Sequence, residues 1–381
     1  MKKITYVHDF CFKKNGQDVY TAVGMPESYF DRFFEANYES VSIISRNIDG
    51  DLSSILSSGF QRIKSKSIIL PVSIRNYFQL LSPFRMFSLC KVIRETDLLV
   101  INFPSLIGLF IWFVNLFIGK PYTLEVAADY DQFYDKKFGW LPTFIFKKIF
   151  STVVSKSIGC IFVSSFLATK YKHSNSIVAS NVNISCVDEG EVKCISENTG
   201  TLSILLVGGV NKRKGVDVAI KASKIFEDST GVSVTLDIAG GHFDDDYLSM
   251  ANEINFNGLN LHGVLSKDEL AVLYKNTDIY IQPSRAEGIP RATIEAMSYG
   301  NPVAATDLPG FGEILDSRCL TRVGSDEQLS NIIQMLRSDS NFYYSMSVKN
   351  KNVARNFLYS TLQKKRVDFY LNLEEVINAR I

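Results

Sequence analysis

Residues 284–306 read "SRAEGIPRATIEAMSYGNPVAAT", and the run before them, "DIYIQP", is apolar and strand-like. Ser284 to Ile289 then forms the turn at the strand's carboxyl end. Pro290 suits a helix's first position, where its missing N–H costs nothing. "RATIEAMSY" continues with helical spacing to Gly300, which suits the C-terminal cap, and "PVAAT" begins the next strand. Strand, loop, helix and strand in this order describe one unit of a parallel α/β sheet. The loop places the backbone N–H groups of Gly288, Ile289 and Arg291 at a helix N-terminus, where the dipole favours an anion such as phosphate. Glu295 lies about one turn into the helix, and its side chain leans back toward that tip. A carboxylate repels phosphate but accepts hydrogen bonds from hydroxyls beside it, as on a ribose. Glu287, at the strand end, reaches hydroxyls on the other side. Either glutamate alone is ordinary tuning of a helix dipole. Together, around an anion site, they fit a sugar nucleotide, which offers ribose, diphosphate and sugar in that order.

The same alternation extends in both directions. "KITYVH", "SVSIISR", "DLLVINF", "PYTLEV" and "CIFVSS" are short β-branched runs with helix-length material between them. "LSILLVGG", "VTLDIAGG", "LNLHGV", "DIYIQPS" and "PVAAT" restart the pattern in the second half. We therefore expect two doubly wound parallel-sheet domains: an acceptor-binding one over 1–185 and a donor-binding one over 201–355. A polar, aperiodic linker at 186–200 joins them, and the ligand is expected in the cleft between them. A terminal helix over 356–381 either docks locally or crosses back to the first domain. No repeat of fixed period and no low-complexity tract interrupts this plan.

Composition bounds the partners. A chain of 381 residues with net charge +1 has no global field for nucleic acid, so attraction to phosphate must be local. Six cysteines without C-x-x-C spacing and four unclustered histidines argue against a zinc site and a disulfide scaffold, and fit a reducing cytoplasm. The N-terminal "MKKITYVHDF" enters a strand at once, without the h-region of a signal peptide. Leu98 to Gly119 is almost uncharged and long enough to span a bilayer. Pro104, however, splits it into a strand and a shorter apolar helix, so a core reading is preferred, with partial lipid contact as the alternative. "LPTFIFKKIFSTVVSKSIG", with Lys147, Lys148 and Lys156, is either a basic helix lying on an anionic membrane or a solvated helix face.

The extended motif is specific. Glu287, Gly288, Pro290, Glu295, Ala296, Met297, Gly300, Pro302, Val303, Ala305, Thr306, Gly310 and Glu313 resemble the donor domain of the retaining glycosyltransferases of family 4, which have the GT-B fold. Upstream, "LLVGGVNKRKGVDVAIKA" resembles the family's first donor-domain strand and basic loop. Lys214, before Gly215, matches the lysine that holds the diphosphate. The family's arginine is missing: Gly209 stands near its place, and Lys212, Arg213 or Arg291 is left to supply the second charge. Gly240, Gly241, Gly263, Val264 and Leu265 fall where the family holds the nucleotide base.

The first domain resembles the family less closely. The loop expected after the first strand contains Gly16 and Gly24, either of which can serve as the family's glycine turn near donor phosphate and acceptor. After "PYTLEV" the family often has a histidine near the transferring sugar. Ala127 stands there, with Asp129 as the substitute polar contact and Glu125 as the fallback. Both are equally readable as structural carboxylates, and His8 as packing or capping. "FDDDY" (243–247) reads as a solvated loop or helix start, and no metal is inferred from it.

The resemblance thus implies a metal-independent, retaining hexosyltransferase-type enzyme moving sugar from a UDP- or GDP-sugar to a glycan or lipid-linked acceptor. Glu287, Lys214 and Asp129 are its expected catalytic residues. Glu295, Gly288, Ile289, Arg291, Arg213, Gly209, Gly263, Val264 and Gly16 are its expected donor contacts. No separate cofactor is expected, because the nucleotide sugar is substrate. The setting implied is bacterial capsule or lipopolysaccharide synthesis, in the cytoplasm or on the inner face of its membrane. Two other readings remain. A sugar-nucleotide or glycan-binding protein on the same fold is suggested by the missing histidine and arginine. A dinucleotide oxidoreductase fits less well, since "VGGVNKRKG" does not supply G-x-G-x-x-G.

Overall fold

The computed structural model describes residues 2–22, 24–129, 140–195, 200–241 and 244–378. The chain divides into two compact units, Met1–Asn181 with Gln363–Ile381, and Val182–Leu362. Among the described residues the first unit holds a nine-stranded sheet and the second a six-stranded one.

In the first unit the strands are β1 (Lys3–Asn15), β2 (Asp18–Thr21), β3 (Ser40–Asp49), β4 (Gln61–Arg62), β5 (Ile68–Ile69), β6 (Leu98–Phe103), β7 (Tyr122–Val126), β8 (Cys160–Phe162) and β9 (Ser176–Val178). β1 lies between β3 and β6, both parallel to it, and β7, β8 and β9 continue the sheet beyond β6. Every residue of β6 and β7 is buried, as expected of parallel strands covered on both faces. One expectation needs correcting here. The segment after "KITYVH" is not a loop: β1 runs to Asn15, and a bulge between Val7 and Cys11 lets it keep pairing with β3 after leaving β6. It turns at Gly16 (φ +60°) into antiparallel β2.

The apolar stretch after β6 resolves into the Leu106–Ile118 helix, which buries Ile107, Ile111, Trp112 and Val114. Ser105 caps its Gly108 N–H, and Asp9 accepts from the Leu106 and Ile107 N–H groups at 2.8 and 2.9 Å. Among the described residues no helix is long and apolar enough to cross a membrane. The terminal Tyr359–Asn378 helix joins the first unit from Gln363 onward. Phe369 and Leu373 lie against Gly159, where a Cβ would come within 2.9 Å of each.

The second unit is wholly parallel: β10 (Thr201–Val207), β11 (Ser233–Ala239), β12 (Leu259–Gly263), β13 (Ile279–Gln282), β14 (Val303–Thr306) and β15 (Leu320–Thr321), in spatial order 12-11-10-13-14-15. The polar stretch expected as a linker belongs to this unit as far as Ile195; residues 196–199 lie outside the described residues. Val187 and Ile195 are buried. Lys193 Nζ donates to the carbonyls of Tyr274 (2.8 Å) and Lys275 (2.9 Å), to that of Thr277, and to Asn301 Oδ1 (2.5 Å). It thereby satisfies the open carbonyl end of the Lys267–Asn276 helix.

Candidate active site

The strand order of the second unit locates its site. The chain builds outward from β10 through β11 to β12, then returns to place β13 on the other side of β10. At that switch point the loops leaving β10 and β13 diverge, and the crevice between them is where open α/β sheets take ligands. The basic loop 209–215 follows β10, and the 283–290 loop follows β13.

Close backbone contacts set the two loops together. The Arg285 N–H donates to the Arg213 carbonyl at 2.8 Å. Gly215 (φ +76°) opens the Val216–Thr230 helix so near Pro283 that a Cβ would fall 2.0 Å from the Pro283 carbonyl oxygen, so only glycine fits. Gly310 presses as closely on Gly288, where a Cβ would meet its carbonyl oxygen at 2.2 Å. Arg285 adds a bidentate pair to Asp217 (2.7 and 2.6 Å), fastening the β13 loop to the first turn of that helix. Burial alone raises the Asp217 carboxyl, and the Arg285 guanidinium outweighs it, leaving its pKa below the usual range. Nothing in the sequence pattern pointed to this pair.

Three of the expected residues meet here. Glu287 Oε1 accepts from Lys214 Nζ at 2.5 Å and from Arg213 at 2.8 Å, with the Lys214 and Glu287 side chains each only 12% exposed. Arg213 also reaches the Ala286 carbonyl at 3.1 Å. Of the three candidates for the missing arginine, Arg213 is therefore the one beside Lys214. Arg291 instead pairs with Glu295 at 2.9 Å along one helix face, and the Lys212 backbone N–H donates to Asp244 at 3.0 Å.

The helix spans Arg291–Ser298, with Pro290 as its N-cap in extended geometry (ψ 132°), one residue before the position expected. No side chain caps it, and Gly288 at its tip is exposed. Glu295 takes a further hydrogen bond, 3.3 Å, from the Tyr274 hydroxyl. Burial, reinforced by Tyr280 and by Glu295 itself, pushes the Tyr274 pKa far up, so that group stays a donor. Gly209 follows β10 beside Asn211, Gly263 ends β12, and Val264 beyond it is 82% exposed and borders Gly241.

Asp244 and Asp246 are spent locally. Asp244 accepts from the Lys212 N–H and the Tyr247 hydroxyl (2.7 Å), and Asp246 caps the Tyr247–Glu253 helix. Phe243 lies outside the described residues.

The first-unit candidates stand apart from one another. Gly16 is at the tip of the β1–β2 hairpin, well past Val7, where β1 leaves β6. Asp129 is buried, with its oxygens held by the Lys170 ammonium and by the Tyr171 hydroxyl at 2.5 Å. Glu125, the fallback, lies at the centre of a buried network. It accepts from Tyr29 at 2.6 Å, Tyr370 at 2.8 Å, Arg32 at 3.0 Å and Tyr6 at 3.3 Å. Burial pushes its carboxyl up, but Arg32 and the tyrosine hydroxyls outweigh that and hold its pKa below the usual range. Glu125 thus ties the terminal helix to β7. His8 stacks on Tyr6 with ring centroids 6.0 Å apart and accepts from the Phe10 N–H at 2.7 Å.

Residues 191–353 match the family described as glycosyl transferases group 1. Protein CapJ of Staphylococcus aureus is 25% identical, over 99% of this chain and 97% of its own. An uncharacterized 41.2 kDa protein in the cps region of Klebsiella pneumoniae is 22% identical, over 56% of this chain and 60% of its own. The crystal structure of Anabaena HepE in complex with UDP-glucose superposes with a TM-score of 0.59, at 14% identity over 97% of this chain and 99% of that one. The switch-point crevice, its basic loop and its paired glutamates agree with these matches: residues 191–353 are similar to the group 1 glycosyl transferases, and the chain has the GT-B fold.

Proposed function

We propose that this protein is a retaining transferase that moves a hexose from UDP to a glycan or lipid-linked acceptor during assembly of a bacterial surface polysaccharide. The reading rests chiefly on Lys214 and Arg213 standing beside an uncapped helix N-terminus at the β10–β13 switch point. UDP as the carrier is supported by the UDP-glucose bound to HepE, and the pathway by CapJ and the cps-region protein. The diphosphate lies against Lys214, Arg213 and the N–H groups of Gly288, Ile289 and Arg291. Glu295 accepts from the ribose, Glu287 from the sugar, and Gly209, Gly263 and Val264 border the nucleotide. Asp129 acts through the Lys170 ammonium that it holds.

Cleavage of the sugar–phosphate bond puts positive character on the sugar and negative charge on the departing diphosphate. Cationic groups already aimed at that charge stabilise the transition state more than the ground state. The leaving phosphate then takes the acceptor hydroxyl's proton on the same face, so no carboxylate nucleophile is needed.

The test is UDP release and sugar transfer over a panel of UDP-sugars, with Lys214→Ala, Glu287→Gln and Glu295→Gln. Lys214→Ala and Glu287→Gln are expected to lose about two to three orders of magnitude in turnover, and Glu295→Gln to raise KM. Near-normal kinetics in all three refute the assignment. UDP-sugar binding without transfer or hydrolysis marks the protein as a binding module instead.

A further inference from the structure

We propose that Lys193 is a positioning residue for the nucleotide's ribose: it fixes Glu295 by tying together the ends of the two helices that carry Glu295 and its partner Tyr274. The inference rests on the transferase reading, which assigns Glu295 to the ribose. Glu295 lies in the Arg291–Ser298 helix and Tyr274 in the Lys267–Asn276 helix, and the Tyr274 hydroxyl donates to Glu295 at 3.3 Å. Arg291 also holds Glu295, but by an exposed contact that a ribose can replace. Tyr274 is buried, so it is the support that stays. Its ring stacks on that of Tyr299, the C-cap of the Glu295 helix, with centroids 5.4 Å apart and planes 17° apart. The two helices therefore meet at their C-terminal ends, where unpaired carbonyls carry partial negative charge. Lys193 Nζ sits among these groups. At one helix end it donates to the Tyr274 and Lys275 carbonyls at 2.8 and 2.9 Å and to that of Thr277. At the other it donates to Asn301 Oδ1 at 2.5 Å, and Asn301 is fastened to that helix by its N–H on the Ala296 carbonyl, 3.2 Å. Asn301 Nδ2 closes the ring on the Tyr274 carbonyl at 3.0 Å.

The charge on Lys193 gives this link a signature of its own. Enclosing an ammonium is costly, and here burial outweighs the attraction of Asp278 and Asp188 and lowers the Lys193 pKa to about 8. The charged groups beside it have other partners. Asp278 accepts from the Ser203 N–H at 2.8 Å, and Asp188 accepts from the Gly190 N–H at 3.2 Å and lies 3.8 Å from the Lys275 ammonium. Lys351 donates to the Gly190 carbonyl at 2.6 Å. As pH rises through about 8, Lys193 gives up one of its three donors and the charge that attracts both helix ends. The ends loosen, Tyr274 no longer holds Glu295 in place, and the grip on the ribose weakens. By linkage, a bound nucleotide favours the protonated lysine and raises its pKa.

The experiment is calorimetric titration of the full chain with UDP and, separately, with inorganic pyrophosphate, at about pH 7 and about pH 9. At the lower pH Lys193→Met should weaken UDP binding by about fivefold and leave pyrophosphate, which has no ribose, unchanged. Raising the pH should bring the parent's UDP affinity down to that of the variant, with no such convergence for pyrophosphate. The variant keeps every other titratable group, including the exposed thiols of Cys186 and Cys194, so the difference isolates Lys193. In a Glu295→Ala background Lys193→Met should have no further effect on UDP, because the contact it supports is gone. If thermal unfolding shows that Lys193→Met does not fold, Tyr274→Phe cuts the same link from its other end, and should weaken UDP alone and abolish the parent's pH dependence. Equal weakening of UDP and pyrophosphate by Lys193→Met, or UDP affinity that neither variant alters, overturns the proposal and leaves the transferase reading in place. A parent that does not bind UDP overturns both.

Discussion

Replacing Glu287 by glutamine should move nucleotide binding and catalysis in opposite directions. In the free protein the carboxylate holds both cations assigned to the diphosphate, Lys214 at 2.5 Å and Arg213 at 2.8 Å. Two unit charges at about 4 Å and an effective dielectric near 20 attract by about 4 kcal/mol. Desolvation and side-chain ordering leave a net contribution of about 1–2 kcal/mol. Incoming UDP must displace this internal anion. Glu287→Gln removes the competitor while keeping shape and volume, so UDP should bind about 5- to 30-fold more tightly. The same substitution removes the carboxylate assigned to the transferring sugar, so turnover should fall by about two to three orders of magnitude. Titration calorimetry with UDP and a UDP-release assay on one preparation read both quantities. Lys214→Ala is the control, since it should weaken both. Unchanged or weaker UDP affinity in Glu287→Gln, with turnover preserved, would refute the exchange of glutamate for diphosphate.

Two further predictions concern the first unit. Glu125→Leu strands the Arg32 guanidinium, whose side chain is only 4% exposed, and should destabilise the unit by about 3–5 kcal/mol. Tyr370→Phe, which removes one of the hydrogen bonds to that carboxylate, should cost about 1.5–3 kcal/mol; urea unfolding measures both, and equal stability of Glu125→Leu and the parent contradicts the network's role. For pH, burial holds the His8 pKa below its ordinary 6.5, and its Nδ1 must stay unprotonated to accept from Phe10. The unfolded chain therefore takes up the proton first, so stability should fall as pH drops through about 6.5, and His8→Gln should lack that part of the slope.

The parts of the fold that could be read from sequence are those made by local pattern. The run "LLVINF" is buried throughout, and "LSILLV" is buried at four of its six positions. The helix after β13 declared itself through Pro290 and Gly300, with an error of one residue at its start. The extension of β1 was hidden because "KKNGQD" is polar and its pairing needs a bulge opposite β3, a tertiary fact without a local signal. The site divides in the same way. Glu287 and Glu295 were marked by their spacing around one helix tip, and Lys214 by the resemblance of its loop to the family's basic loop. The Arg285–Asp217 clamp, the Tyr274 hydroxyl on Glu295 and the Glu125 network join residues far apart in the chain. Hydrophobic periodicity carries no information about such partners. Glu125 was held as the fallback polar contact because it lies near the place of the family's histidine, and the sequence could not reveal that four protein groups donate to its carboxylate.

The pairing of charges around the helix tip also explains how the proposed phosphate site is compatible with a nearly neutral chain. Arg213 and Lys214 share Glu287, Arg285 is taken by Asp217, and Arg291 by Glu295. Each cation is thus held in place by a carboxylate before any nucleotide arrives, which spares the crevice a large self-repulsion and fixes its side chains in advance. The two kinds of pair then part company. Arg285 and Asp217 form a bidentate clamp between the two loops and have no reason to separate. Glu287 holds its cations through a single oxygen, and Glu295 holds Arg291 by one exposed contact, so diphosphate and ribose can replace them one hydrogen bond at a time. On this account specificity for a nucleotide diphosphate comes from repaying both exchanges together. Inorganic phosphate, which can satisfy Lys214 and Arg213 but leaves Glu295 with its protein partners, gains only the first, and should compete with UDP weakly.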